Sequence, residues 1–137
     1  MTNINNLERQ HAEIRELITN ISRSVDYKPL EENIDIIVKY INTLAGKITI
    51  HMNTEDNFLY PALLNSNNEQ IRIIAKEYKQ EMGNISNLFN LYKNKFNTKS
   101  KILNNIETFS KETIDILSLL QKRIEKEDKN LYPKIKE

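Results

Sequence analysis

The 137 residues include no cysteine. That removes disulfides and thiol chemistry at once. The chain must rely on an ordinary buried core, and its length suits one domain with such a core. A reducing cytoplasm is permitted and is the expected location. The opening segment MTNINNLERQHAEI lacks the basic stretch and apolar run of a secretion signal. No apolar run approaches the length of a membrane span, so no membrane partner is expected. The 20 basic residues are interleaved with 19 acidic ones for a net charge of +1. Nucleic-acid binding usually needs a basic face, so no nucleic-acid partner is expected. There is no Ser–His–acid arrangement and no phosphate-binding loop, and no catalytic residue is singled out. Glycine occurs twice and proline three times. So few breakers, in a charged chain with Leu and Ile at helical spacing, indicate an all-α fold.

Four helices are expected. The first covers about 3–22, with Ile4, Leu7, His11, Ile14, Ile18 and Ile21 on one stripe. SRSVDYKPLEEN reads as a loop. The second covers about 30–59, with Ile34, Ile37, Ile41, Leu44, Ile48, His51, Glu55 and Phe58 in line; Pro61 and NSNN mark its end. The third covers about 69–96, with Ile71, Ile74, Tyr78, Glu81, Ile85, Leu88 and Tyr92 on its face. NTKS is the next turn. The fourth covers about 101–131, with Ile102, Ile106, Phe109, Thr113, Ile116, Leu120, Arg123 and Glu127 aligned, and Pro133 closes it. Long amphipathic helices joined by short loops predict a single-domain, up-down-up-down antiparallel four-helix bundle. A weak repeat runs through it. HMNTEDNFLYP, from His51, matches RIEKEDKNLYP, from Arg123, and LERQH resembles EYKQE.

Polar residues interrupt each apolar stripe. His51 and Glu55 stand at i and i+4 and so point the same way, as do Arg123 and Glu127. His11 lies near the start of its helix and Glu81 further along its own. All fit one layer toward one end of a bundle. Buried charges are costly unless paired or bound to metal. Carboxylates gathered in a core repel one another and take up protons, a conflict that a cation removes. Imidazole with carboxylate suits iron, manganese or zinc. A single histidine on an apolar stripe is more often a hydrogen-bonded core residue. Here, however, both histidines of the chain fall on core stripes at compatible heights.

RQHAEI around His11, HMNTEDNFLYP and its echo RIEKEDKNLYP resemble the hemerythrin-like, or HHE cation-binding, domains over nearly the whole chain. The resemblance implies a four-helix bundle with an oxygen-bridged di-iron centre. It also implies a role in handling oxygen, nitric oxide, peroxide or iron. His11, His51 and Glu55 match the ligands of the family's first half, and Glu127 the carboxylate of the second. Two positions depart. Glu81 stands where the family usually has histidine, and Arg123 stands where a histidine opens the last motif. Glu81 can still bind a metal, whereas a guanidinium cannot. The expected ligand set is His11, His51, Glu55, Glu81 and Glu127, holding iron, with two ions favoured and one allowed. This set is closer to ferritin-like or rubrerythrin-like sites than to the His-rich sites of reversible oxygen carriers.

Arg123 has three readings. It replaces one metal by pairing with Glu127 or Glu81, it lies behind a ligating carboxylate and orients it, or it faces an open coordination position and steadies an anion or peroxide. Tyr78 is expected to donate to a ligand from behind. Asp56 and Asp128, rotated about 100° from the carboxylate stripe, either support the ligands or face solvent. Tyr60 and Tyr132 are expected to pack at the bundle end. Gly46 and Gly83 either let helices or a ligand approach or are tolerated packing residues. The expected function is binding, sensing or reducing a small diatomic or peroxide ligand. The alternatives are an oxidase or peroxidase and a metal-free interaction bundle.

Overall fold

The computed structural model describes residues 4–27 and 29–135. Among these no strand occurs, and the all-α expectation is borne out. Helix α1 spans Ile4–Asp26, and Asn3, expected in it, lies outside the described residues. A 3-10 turn, Leu30–Asn33, leads into α2, Ile34–Thr54. A π turn, Glu55–Leu59, joins α2 to the short α3, Tyr60–Leu64. Helix α4 is Glu69–Phe96 and α5 is Lys99–Asn104. Helix α6, Ile106–Lys126, passes through a second π turn, Glu127–Leu131, into α7, Tyr132–Ile135.

The long helices pack in a ring, α1 on α2, α2 on α4, α4 on α6 and α6 back on α1. His11, early in α1, meets His51 at the end of α2. Asn42, in the first half of α2, donates to the Asn97 carbonyl just past α4 at 3.3 Å. Phe96 at the end of α4 lies edge-on to Phe109 near the start of α6, with ring centres 5.0 Å apart. Each long helix therefore runs opposite to the one before it. The turns supply the caps. Asn68 accepts from the Gln70 and Ile71 amides at the start of α4, and Thr98 accepts from the Lys101 amide at the start of α5. These bonds satisfy donors that a helix start otherwise leaves unpaired.

The core has two parts. The larger runs along the bundle body from Ile14, Ile48, Met82 and Ile124 down to Val25, Phe96 and Phe109. The smaller closes one end with Ile4, Leu7, Leu59, Tyr60, Leu63, Ala75, Tyr78, Leu131 and Tyr132. Burying each Leu or Ile stabilises the fold by ~1.5–3 kcal/mol. Between the two parts lies a buried polar layer made of Gln10, His11, His51, Glu55, Arg123 and Glu127.

Several details differ from the sequence expectation. The 22–33 segment is mostly helical, because α1 continues to Asp26 and LEEN forms the 3-10 turn. Pro61 and Pro133 do not stop their helices. In an α-helix each ring would strike the carbonyl four residues back, Asn57 or Lys129. Both carbonyls sit in π turns, where the Tyr60 and Tyr132 amides reach back five residues to the Glu55 and Glu127 carbonyls. The wider turn shifts the buried face. Leu59 and Tyr60 point inward, and Phe58, expected on the stripe, is 64% exposed. Leu88 is also exposed, because the buried face of α4 runs through Ile85, Phe89, Tyr92 and Phe96. Among the described residues, no helix is long and apolar enough to cross a membrane.

Candidate metal centre

Four side chains from four elements meet in the polar layer. His11 comes from α1, His51 from the last turn of α2, and Glu55 and Glu127 each open a π turn. All four are buried, and one ligand atom from each lies within 4.8 Å of the others. The Nε2 atoms of His11 and His51 face each other at 3.0 Å. Glu127 Oε1 is 3.0 Å from His11 Nε2 and 3.6 Å from His51 Nε2, and Glu55 Oε2 is 3.4 Å from His51 Nε2.

The outer face of each imidazole determines what its inner face offers. His11 Nδ1 lies 2.8 Å from an Asp128 carboxylate oxygen, and a carboxylate only accepts. His51 Nδ1 lies 2.7 Å from the Gln10 side-chain carbonyl, which also only accepts. Each Nδ1 therefore carries a proton and donates outward, so both Nε2 atoms face into the layer, where a metal would take the place of the second proton on His51. Gln10 is in turn anchored by donating to Thr54 Oγ1 at 3.2 Å, and Asp128 by an ion pair with Arg15. Two imidazole Nε2 atoms and two carboxylates thus converge on one point. Tyr132 donates to Glu55 Oε2 at 2.9 Å. Glu55 Oε1 is buried with no hydrogen-bond partner among the described residues. A cluster so rich in acceptors needs a cation, and a metal ion fits the donor set.

The ionisation of the side chains points the same way. Burial works against a charge on His51, but hydrogen bonds with Glu127 and Glu55 outweigh it and push the imidazole up to about 10. Burial, with Glu127 alongside, raises the Glu55 carboxyl to about 6. Burial also acts to raise Glu127, but His11 and His51 prevail and hold it well below the usual carboxylate range. Without a metal, the proton on His51 supplies the positive charge that the cluster needs.

Glu81, expected with these ligands, stands apart. Its side chain is 43% exposed and pairs with Arg123 Nη1 at 3.2 Å and Lys126 Nζ at 3.1 Å. The Arg123 guanidinium holds it outside, with Nη2 3.5 Å from Glu127 Oε2 and 2.8 Å from the Tyr78 carbonyl. Tyr78 serves Arg123 through that carbonyl and its ring face, 4.5 Å away. Asp56 faces solvent, whereas its repeat partner Asp128 orients His11. Tyr60 and Tyr132 pack at the bundle end as expected, but they also donate to the buried carboxylates, Tyr60 to Glu127 Oε2 at 3.4 Å. Neither glycine marks a close approach, since a Cβ on Gly46 or Gly83 would meet nothing within 4 Å. Sequence reasoning missed Gln10. Its only signal was a polar residue adjoining His11 on the flank of the apolar stripe.

The model of the hemerythrin HHE cation binding domain matches residues 2–135. The chain belongs to this hemerythrin family. No curated protein and no solved structure matches the chain. The family's cation-binding domain and the buried His/Glu cluster together make this chain a metal-binding hemerythrin-like protein. Within that frame, Arg123 and Glu81 are the features that set this hemerythrin-family member's layer apart from a symmetric one.

Proposed function

We propose that His11, His51, Glu55 and Glu127 hold non-haem iron, and that the protein uses it to bind, sense or reduce a small oxidant such as oxygen, peroxide or nitric oxide. The supporting observation is the convergence of four buried ligand atoms within 4.8 Å, with both imidazoles turned so that their Nε2 atoms face inward. Bound iron would supply one-electron chemistry and an attachment point for the oxidant. The chain's own residues orient the imidazoles, through Asp128 and Gln10, and exclude bulk water by enclosing the layer between two apolar clusters. A void of about 10 Å³ lies beside His51, Arg123 and Glu127, walled by apolar residues including Ile14, Met82 and Leu120. That is about the least space that holds one water, which sets the scale of a ligand entering beside the metal without movement of the wall.

The metal-free interaction bundle draws support from one observation. A protonated His51 balances the cluster without any ion. Anaerobic loading with ferrous iron separates these readings. The proposal expects iron retained through desalting, then an optical change on adding oxygen, peroxide or nitric oxide, with uptake lost in His51→Ala. Consumption of oxidant over many turnovers would make the protein an enzyme, and a single turnover a sensor or binder. No retention of iron by the folded protein would leave the interaction bundle.

A further inference from the structure

We infer that Arg123 is a built-in replacement for a second metal ion, so that the chain binds one cation where the sequence repeat provides places for two. The inference rests on the metal-binding reading above and concerns only the number of ions. The two halves of the repeat build the same layer from opposite sides. In the first half, His11 and His51 face each other at 3.0 Å with Glu55 beside them, and none of the three carries a fixed positive charge. In the second half, Glu81 and Arg123 face each other at 3.2 Å with Glu127 beside them. The tyrosines cross between halves, Tyr132 to Glu55 and Tyr60 to Glu127.

Glu127 connects the two places. Its Oε1 lies against both histidines and its Oε2 against Arg123 Nη2, the arrangement of a carboxylate shared between two cations. One of those two positions is already filled by a covalently attached charge. Arg123 is 2% exposed, stacked on Tyr78 and tied to the Tyr78 carbonyl, so it cannot swing out to make room. A guanidinium neither loses its proton nor ligates a metal. Lys126 adds further positive charge at Glu81, 3.1 Å away. The second half is therefore neutralised from within, and only the first half calls for an ion from outside.

Cobalt(II) titration of the full chain tests this. Bound metal is counted after desalting, and electron paramagnetic resonance separates an isolated high-spin ion from a coupled pair. The expected result is one cobalt per chain with an isolated-ion signal. Arg123→His, which gives the second half an imidazole, should raise the count to two with coupling between the ions. Arg123→Lys, which keeps the charge, should stay at one. Two ions in the wild type would overturn the inference while leaving the metal-binding reading in place. So would two in Arg123→Lys, or one in an Arg123→His protein that circular dichroism shows to be folded. No cobalt in the wild type would remove both readings. If Arg123→His does not fold, the wild-type count, its spectrum and Arg123→Lys still decide.

Discussion

The two histidines owe their readiness to neighbours that touch no ion. Asp128 and Gln10 each accept a hydrogen bond from an Nδ1 and so fix which nitrogen faces inward. Losing such an orienting partner typically lowers metal affinity about 10–100-fold. Gln10→Ala and Asp128→Ala should each weaken cobalt binding within that range, measured by competition with a chelator, while helicity stays at the wild-type level. An unchanged affinity in both would mean that the imidazoles are held by packing alone. The two partners differ in how far the sequence revealed them. Asp128 was visible as the residue beside Glu127, though not its direction. Helical geometry placed it about 100° off the stripe, and from there its carboxylate reaches His11 Nδ1 at 2.8 Å, a contact that Asp56 at the matching position of the repeat does not make. Gln10 gave almost no signal, because a polar residue beside a buried histidine reads as an ordinary flank. Glu81 gave the opposite problem. Its stripe position and its place in the repeat both suggested a ligand, but the ion pair with Arg123 that holds it outside depends on a side-chain path that spacing does not encode.

The helices themselves were legible because periodicity records one physical fact, the face that must be buried. Helix α4 was placed at its observed ends, since NSNN and NTKS carry capping side chains at both turns. The π turns were hidden because a proline near the end of an apolar stripe usually signals a stop. Only the packing that buries Tyr60 and Tyr132 reveals that the chain continues. Two consequences at this scale can be measured by urea unfolding. Asn68 accepts from two amides at the start of α4, so Asn68→Ala should cost about 1 kcal/mol. Gly46 and Gly83 lie inside helices with open space where a Cβ would sit. Gly46→Ala and Gly83→Ala should each stabilise the protein by about 0.5–1 kcal/mol, since glycine is the poorer helix former. A loss of stability in either would show that the glycine serves an approach or motion outside this conformation.

For the whole molecule, a polar layer between two apolar clusters links folding, protonation and metal binding. In the metal-free protein the His51 imidazole titrates at about 10, against 6.5 for an unperturbed one. A base raised in this way contributes its full stability below pH 6.5 and loses it as pH climbs toward 10. Glu55, raised from 4.5 to about 6, acts in the same direction over that lower window. Glu127 acts oppositely, being held low by His11 and His51; its contribution is present above 4.5 and fades in acid. The chelated protein should therefore show a melting temperature that declines from about pH 6.5 to 10. A bound ion takes the His51 lone pair in place of the proton. The metal-loaded protein should then lose this decline, so that the stabilisation by metal widens as pH rises. Free metal at a hundred times Kd should add about 2.7 kcal/mol, or on the order of ten degrees for a chain of this length. Scanning calorimetry of chelated and cobalt-loaded protein at pH 7 and pH 9 measures both effects. Parallel curves at the two pH values would show that His51 carries no proton for the metal to displace, and that the cluster's charge is balanced elsewhere in the layer.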